Sequence, residues 1–547
     1  MADRLQVSSL KIDFQGWRRR KSKQFALADV FRRSGYTRLA GYENVNDGER
    51  LGPMRSNRRT FLRTAAGAMA AAPAMLGATA PPPNVVFVLV DQWRAQATGY
   101  AGDPNARTAA IDRLAAESIN FQNAVSGLPV CCPYRGSLMT GQYPLTHGVF
   151  INDVELQPRT VTLAEAFAKA GYRTGYIGKW HLHGSPDGNY GRREAYIPSD
   201  KRLGFDYWKA CECTHSYNRS VYFEGDDPAP RYWPGYDAIA QTEDACRFIE
   251  REGKSRRPFF LVLSLGPPHT PYDTAPERYR ALYESREIGL RPNVPEDRRE
   301  VAIKNLRGYY AHIAALDDCL AQVTAALQRS AAAADTILVF TSDHGDMLDC
   351  QGLTAKIHPW DESVRVPFLL RYPRRLGSKG RVIRRPLNTP DIMPTLLGLA
   401  GIAIPGGVQG EDHSGLIAGA RPADPDAAAF LNLPAPFTQA RRWGFAAYRG
   451  LRTERHTYVR SIHGPWLLYD NETDPYQMRN LCGKSEHKQL QARLDRALEA
   501  RLRRYKDDFL PGAEYLRRAG LEHYREVNIP VGHHRSPWGD WEATIKQ

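Results

Sequence analysis

Four short, uninterrupted apolar runs, each ending on a polar cluster, constrain this chain most. Residues 84–90 end at Asp91, and residues 172–177 lead into Gly178-Lys179. Residues 258–265 lead into Pro267-Pro268-His269, and residues 336–340 into Asp343-His344. Continuous apolar runs of this length read as strands buried on both faces, which requires a sheet covered by helices. Helical patterns lie between them: residues 108–117, residues 161–170 with a Thr162…Glu165 capping box, and a long amphipathic stretch, 305–329. Strand–helix alternation predicts an α/β fold with a large central sheet flanked by helices. Each polar cluster follows the carboxyl end of its run, the edge where open α/β sheets hold ligands. The four clusters are therefore expected to converge on one site.

From about Trp443 the pattern changes to short apolar runs between turns: Phe445 to Tyr448, His456 to Val459 and Trp466 to Tyr469. They predict a smaller C-terminal antiparallel sheet, followed by a charged helix over 486–506. The Pro/Ala-rich stretch 421–436 reads as the linker. The expected division is a catalytic domain over 81–436 and a C-terminal subdomain and tail over 437–547.

The net charge of +14 suggests a nucleic-acid partner until it is located. Residues 1–63 hold fifteen Lys and Arg against six Asp and Glu, so most of the excess lies at the N-terminus and no nucleic-acid partner is implied. There, Arg58-Arg59-Thr60-Phe61-Leu62 precedes a weakly apolar, Ala-rich run to Ala80, the pattern of a twin-arginine signal peptide over 54–80. Met54 is the natural start of such a precursor. Residues 1–53 then form an upstream extension expected to be disordered. The reading implies the twin-arginine export machinery as a partner, a periplasmic or secreted location and no stable membrane anchor. No run of 18 strongly apolar residues is present, and eight Cys are too few for a disulfide scaffold.

The segment that carries chemistry is Cys131-Cys132-Pro133-Tyr134-Arg135, followed by Leu138-Met139-Thr140-Gly141. Pro133 suits a helix start, which places Cys131 at a helix N-terminus where free amides favour anions, with Arg135 one turn along. A tyrosine-phosphatase-like loop has five residues between Cys and Arg; here there are three. The segment resembles the hallmark of the formylglycine-dependent sulfatase family, of the alkaline phosphatase superfamily. The resemblance runs over most of residues 84–480. It takes in Gly178-Lys179-Trp180-His181, Pro267-Pro268-His269-Thr270-Pro271, Ser342-Asp343-His344-Gly345, and Lys356 with Glu362-Ser363-Val364-Arg365.

The resemblance implies an alkaline-phosphatase-like fold and conversion of Cys131 to formylglycine by a separate formylglycine-generating enzyme. The hydrated aldehyde attacks sulfur through one hydroxyl, and the second hydroxyl then expels sulfate, a release that a plain Ser or Cys lacks. It also implies metal ligation by Asp91, Gln92, Asp343 and His344 with the modified Cys131. Ca²⁺ is expected first, with Mn²⁺ or another divalent metal as the alternative that an imidazole ligand favours. Arg135 is expected to hold the formylglycine oxygen, and Lys179 and Lys356 the sulfate oxygens. His181 is expected to orient the diol and assist release, and His269 to protonate the leaving alcohol. Cys132 is expected to be a bystander, and His358 and Asp361 to line the sulfate or sugar pocket.

The expected activity is hydrolysis of a sulfate ester, of a carbohydrate before an aryl alcohol. The alternatives are a phosphonate monoester or phosphodiester hydrolase of the same superfamily, and a non-catalytic metal- and anion-binding relative. Tyr207, Trp208, Tyr217, Tyr222, Tyr232 and Trp233 either stack on sugar rings or pack. Cys211-Glu212-Cys213 reads as structural thiols or a local disulfide. His183 either touches substrate or is exposed, and His533-His534 reads as a solvated tail.

Overall fold

The computed structural model describes residues 81–184, 193–419, 427–437, 440 and 444–524. The upstream extension, the signal segment, His533 and His534 lie outside the described residues.

Twelve strands precede the C-terminal sheet: β1 (Asn84–Asp91), β2 (Ile119–Phe121), β3 (Ala124–Val125), β4 (Arg173–Lys179), β5 (Tyr207–Cys211), β6 (Val221–Glu224), β7 (Asp227–Tyr232), β8 (Phe259–Pro268), β9 (Thr336–Ser342), β10 (Phe368–Arg371), β11 (Arg381–Ile383) and β12 (Leu387–Asn388). Ten of them form one mixed sheet in the order β11-β2-β10-β9-β1-β8-β4-β5-β6-β7, while β3 and β12 pair separately. Its centre is parallel, because β1 pairs in parallel with both β8 and β9, and β4 with β8 and β5. This is the expected α/β fold with a mixed central sheet.

The period-2 pleat explains why these runs are apolar without interruption. Val86, Val88 and Val90 of β1 enter one core, against the helices Asp237–Glu252 and Arg299–Arg329. Val85, Phe87 and Leu89 enter the other, against Cys131–Thr140 and Ile392–Ala400. Each such fully buried side chain contributes about 1.5–3 kcal/mol relative to exposure. The capping box forms as read: Thr162 accepts from the Glu165 N–H, and the Glu165 carboxylate takes the Thr162 N–H at the start of Leu163–Lys169. The long helix begins at Arg299, earlier than its apolar periodicity shows.

Register sets the active edge. Val90 lies opposite Ser342 on β9 and Leu265 on β8, and a bulge then brings Asp91 level with Pro268. Gly178 lies opposite Ser264. Asp91, Lys179, His269 and Asp343 therefore leave neighbouring strand ends together. Gly178 must be glycine: its φ is 103°, and a Cβ there would lie 2.0 Å from the Ser264 carbonyl oxygen.

The antiparallel C-terminal sheet comprises β13 (Ala428–Leu433), β14 (Tyr448–Thr453), β15 (His456–Ser461) and β16 (Gly464–Asp470), with the helix Lys488–Tyr505 following. Two expectations are corrected. Residues 428–433, inside the stretch read as linker, form the buried edge strand β13, whose Ala and Leu residues pack rather than extend. The second strand starts at Tyr448, because Phe445 instead packs against the rings of His358, Trp360 and Trp466.

Asp361 joins the two parts of the fold. Its carboxylate takes Nε and Nη2 of Arg452 on β14 at 2.9 and 3.0 Å, and Nη1 of Arg365 at 3.2 Å, so it ties the C-terminal sheet to the segment carrying Lys356. Both partners of the Asp361–Arg452 pair are buried. Removing one partner leaves the other charge desolvated. Arg452→Met should therefore destabilise the protein by about 3 kcal/mol in urea unfolding. A change below about 0.5 kcal/mol, the size of an exposed pair, would contradict this role.

Candidate active site

The helix Cys131–Thr140 is buried along its whole length, with extended Val130 before it and left-handed Gly141 closing it. Cys131 is its first residue, as expected. Its Sγ lies 3.8 Å from both Asp91 carboxylate oxygens and 3.3 Å from His344 Nε2. Ligand atoms of Asp91, Cys131, Asp343 and His344 all lie within 4.8 Å of one another. The four strand-end clusters do meet.

The charges of this hollow explain one another. Arg135 donates through Nη1 to the Lys179 carbonyl at 2.7 Å and to Ser264 Oγ at 2.8 Å, and through Nη2 to Asp343 at 3.3 Å. Its Nε has no partner among the described residues. Lys179 Nζ lies 2.6 Å from Asp91 Oδ2 and 3.7 Å from Cys131 Sγ. Burial opposes ionisation of Asp91, but Lys179, His269, His344 and Lys356 hold it well below the usual carboxylate range. Asp343 goes the other way: burial and then the neighbouring Asp91 raise it. Burial and Asp91 also push the Cys131 thiol up to about 12, against Lys179 and Lys356, so the unmodified side chain is a neutral thiol.

The donor set fits a divalent cation. His344 Nδ1 lies 3.0 Å from the Gly345 carbonyl, so Nδ1–H donates and the Nε2 lone pair points at Asp91 and Asp343, 3.4 and 3.5 Å away. Two buried carboxylates face the same point, and a cation there would relieve the repulsion that raises Asp343. Gln92, in left-handed conformation at φ 71°, donates its N–H to Asp343 at 3.1 Å. Its side-chain Nε2 donates to Asp346 at 2.6 Å, which turns Oε1 towards Lys356 Nζ at 2.8 Å.

Lys356 Nζ also lies 2.6 Å from His269 Nε2. Because His269 Nδ1 faces the Thr270 carbonyl at 2.9 Å, Nδ1 carries the proton and Nε2 is the acceptor for the ammonium. Burial and Lys356 hold His269 well below its ordinary value. Tyr217 donates to the His269 carbonyl at 2.9 Å and fixes this turn.

His181 is held from its far nitrogen. No hydrogen bond joins it to Cys131 among the described residues; its Nε2 instead faces Asp153 at 3.1 Å. Cys132 has a structural contact, its Sγ accepting the Asp153 N–H at 3.3 Å. His358 is buried, with the rings of Trp360 and Phe445 against it. Trp208, Tyr217 and Trp233 are core residues, whereas Tyr232 is exposed. Cys211 and Cys213 are free thiols, and Glu212 between them accepts the N–H groups of Leu182, His183 and Gly184, which shapes the turn after Lys179.

Sequence reasoning missed Asp153, His215, Tyr272 and Asp346. Asp346, three residues beyond Asp343, had a positional signal; Tyr272, which donates to Asp346, follows Pro271. His215 stacks on His269 with ring centroids 4.3 Å apart and planes 5° apart, and nothing in its segment marked it.

Comparison with known proteins agrees with this geometry. Residues 83–402 match the sulfatase family model, and residues 351–504 match the model of the N-sulphoglucosamine sulphohydrolase C-terminal region. The chain is 44% identical over 438 residues to an ulvan-active sulfatase of Formosa agariphila, covering 80% of this chain and 84% of that one. It is 30% identical to an endo-4-O-sulfatase of Bacteroides thetaiotaomicron, covering 80% of this chain and 95% of that one. A solved structure from Bacteroides thetaiotaomicron, described in terms of the metabolism of multiple glycosaminoglycans, superposes with a TM-score of 0.71 at 28% identity. It covers 82% of this chain and 100% of that one.

The raised Asp343 gives a test of the site. A carboxyl raised on folding favours the folded state while protonated, and that contribution is lost as pH rises from the unfolded value through the folded one. Asp343→Asn should therefore flatten the fall of metal-free stability with rising pH and raise the metal-free Tm at pH 8 by about 2–4 °C. It should also abolish the rise in Tm that divalent ions give the wild type. Calorimetry of both proteins checks this; an Asp343→Asn protein stabilised by metal as strongly as wild type would exclude Asp343 as a ligand.

Proposed function

Because the chain belongs to the sulfatase family and is a sulfuric ester hydrolase, we propose that its substrate is a sulfated carbohydrate and that it acts through a formylglycine made from Cys131. The observation that carries the reading is the packing of Asp91, Cys131, Asp343 and His344 into one buried hollow with Lys179 alongside. The carbohydrate is supported by the relatives, whose names specify ulvan and a 4-O-sulfate. The twin-arginine pattern at Arg58-Arg59 supports export to the periplasm or beyond, after maturation by a formylglycine-generating enzyme.

Formylglycine, once hydrated, supplies the attacking hydroxyl and the second hydroxyl that allows sulfate to leave. A divalent cation, Ca²⁺ first and Mn²⁺ as the alternative, would be held by Asp91, Gln92, Asp343 and His344 with residue 131, and would neutralise sulfate charge and acidify the hydroxyl beside it. The chain's own groups do the rest. Lys179 and Lys356 bring ammonium groups to the sulfate oxygens. Arg135 is held rigid by the Lys179 carbonyl and Ser264, so its charge is fixed before substrate arrives. Lys356 and His269 share a proton at His269 Nε2, which passes to the leaving alcohol oxygen.

Sulfate release should be measured over a panel of sulfated mono- and oligosaccharides, beside phenylphosphonate and phosphodiester substrates. The wild type should release sulfate from a sugar with kcat/KM well above that for any phosphonate. Cys131→Ala should lower kcat by at least about 1,000-fold, as loss of a covalent nucleophile does. Faster turnover of phosphonate esters than of every sulfated sugar would overturn the sulfatase reading in favour of the phosphonate hydrolase.

A further inference from the structure

The two nitrogens of His181 have different surroundings. Nε2–H donates to Asp153 Oδ1 at 3.1 Å, while Nδ1 is buried and has no hydrogen-bond partner among the described residues. Asp153 is itself held from two sides. Arg193 Nη2 reaches its two oxygens at 3.0 and 2.7 Å. Its N–H donates to Cys132 Sγ, and the Cys132 N–H donates to Asn152 Oδ1 at 3.1 Å. The loop carrying Asp153 is thus stitched to the first turn of the helix that begins at Cys131.

Backbone conformation points the same way. Asp153 has φ 62° and His181 φ 58°, left-handed values that non-glycine residues keep only where the surroundings over-determine them. Two such residues face each other through a buried hydrogen bond. Cys132, Asp153 and His181 also lie close enough together to hold a metal. Arg193 already balances the Asp153 carboxylate, and burial keeps the Cys132 thiol protonated, so these three need no ion.

We propose that Asp153 is a positioning residue for His181. It holds the imidazole proton on Nε2 and so leaves the Nδ1 lone pair as the basic atom for sulfate-ester hydrolysis, with Arg193 anchoring Asp153 and Cys132 fixing its backbone. The proposal rests on the sulfatase reaction proposed above, in which the second hydroxyl of the hydrated side chain at position 131 must give up its proton for sulfate to leave, and on His181, expected from the sequence to assist that release, being the base that takes it. Burial, then Lys179, holds His181 down at about 3, so it rests as neutral imidazole. A proton accepted at Nδ1 makes an imidazolium whose Nε2–H faces the Asp153 carboxylate, and the proton is then lost to water. With the opposite tautomer, Nδ1 would carry the proton and could accept none.

The test joins a double-mutant cycle to a direct reading of the tautomer. Kinetics of sulfate release are measured for wild type, Asp153→Asn, His181→Ala and the double variant. Spectra of ¹⁵N-histidine-labelled protein are recorded on metal-free full-length chain with Cys131 unmodified, the His181 signal being assigned from its loss in His181→Ala. Asp153→Asn should lower kcat by at least about tenfold with KM within about twofold, and should cost nothing further in the His181→Ala background. The wild-type His181 signal should be that of the Nε2-protonated ring and should shift towards a mixture in Asp153→Asn. If Asp153→Asn does not fold, Asp153→Glu, which keeps the acceptor, should retain the Nε2-protonated signal. Additive losses in the cycle, or a wild-type ring protonated on Nδ1, would overturn the proposal. Those results in a wild type that releases sulfate leave the proposed function intact; a wild type that releases none counts against that function instead.

Discussion

Two buried carboxylates forced together are the constraint on which this structure depends. Asp91 and Asp343 are fully buried at the ends of β1 and β9, which pair in parallel register. No fold keeps two bare charges so placed unless opposite charge is supplied at the same point. Arg135 and Lys179 supply part of it from the protein, and the Nε2 lone pair of His344 is turned inward where a cation would complete it. The site is therefore an electrostatic consequence of the sheet.

The supporting structure serves this geometry. The helix Cys131–Thr140 is buried on every side, and Arg135, one turn along, is locked to the end of β4 through the Lys179 carbonyl. Glycine at position 178 lets β4 approach β8 closely enough for Lys179 to reach Asp91. The C-terminal sheet contributes through Arg452, whose pairing with Asp361 steadies the segment bearing Lys356. Left-handed residues gather here as well: Gln92, Asp153, His181 and Ile357 all have positive φ. Backbone strain stored at the site is held by the core around it.

Much of this was legible in the residues. Uninterrupted apolar runs located β1, β4, β8 and β9, and the polar residue after each run entered the site, because strand ends are fixed by the same pleat that buries the strand. Pro133, suited to a helix start, marked the helix that begins at Cys131. What stayed hidden depends on contacts distant in sequence. Asp153 reaches His181 through a loop whose path no periodicity records, and Tyr272 reaches Asp346 across 74 residues. Aromatic residues misled, because Trp208 and Trp233 look alike whether they face sugar or core. Ala428–Leu433 misled for the opposite reason: flanking Pro and Ala hid a strand that only its pairing with β14 defines.

The most direct test of the account is the mass of the peptide containing residue 131, from protein expressed with a formylglycine-generating enzyme and shown to release sulfate. The account predicts an aldehyde, or its hydrate, at position 131 in the active fraction, in proportion to activity. A fully retained Cys131 thiol in protein that turns over a sulfate ester would contradict it.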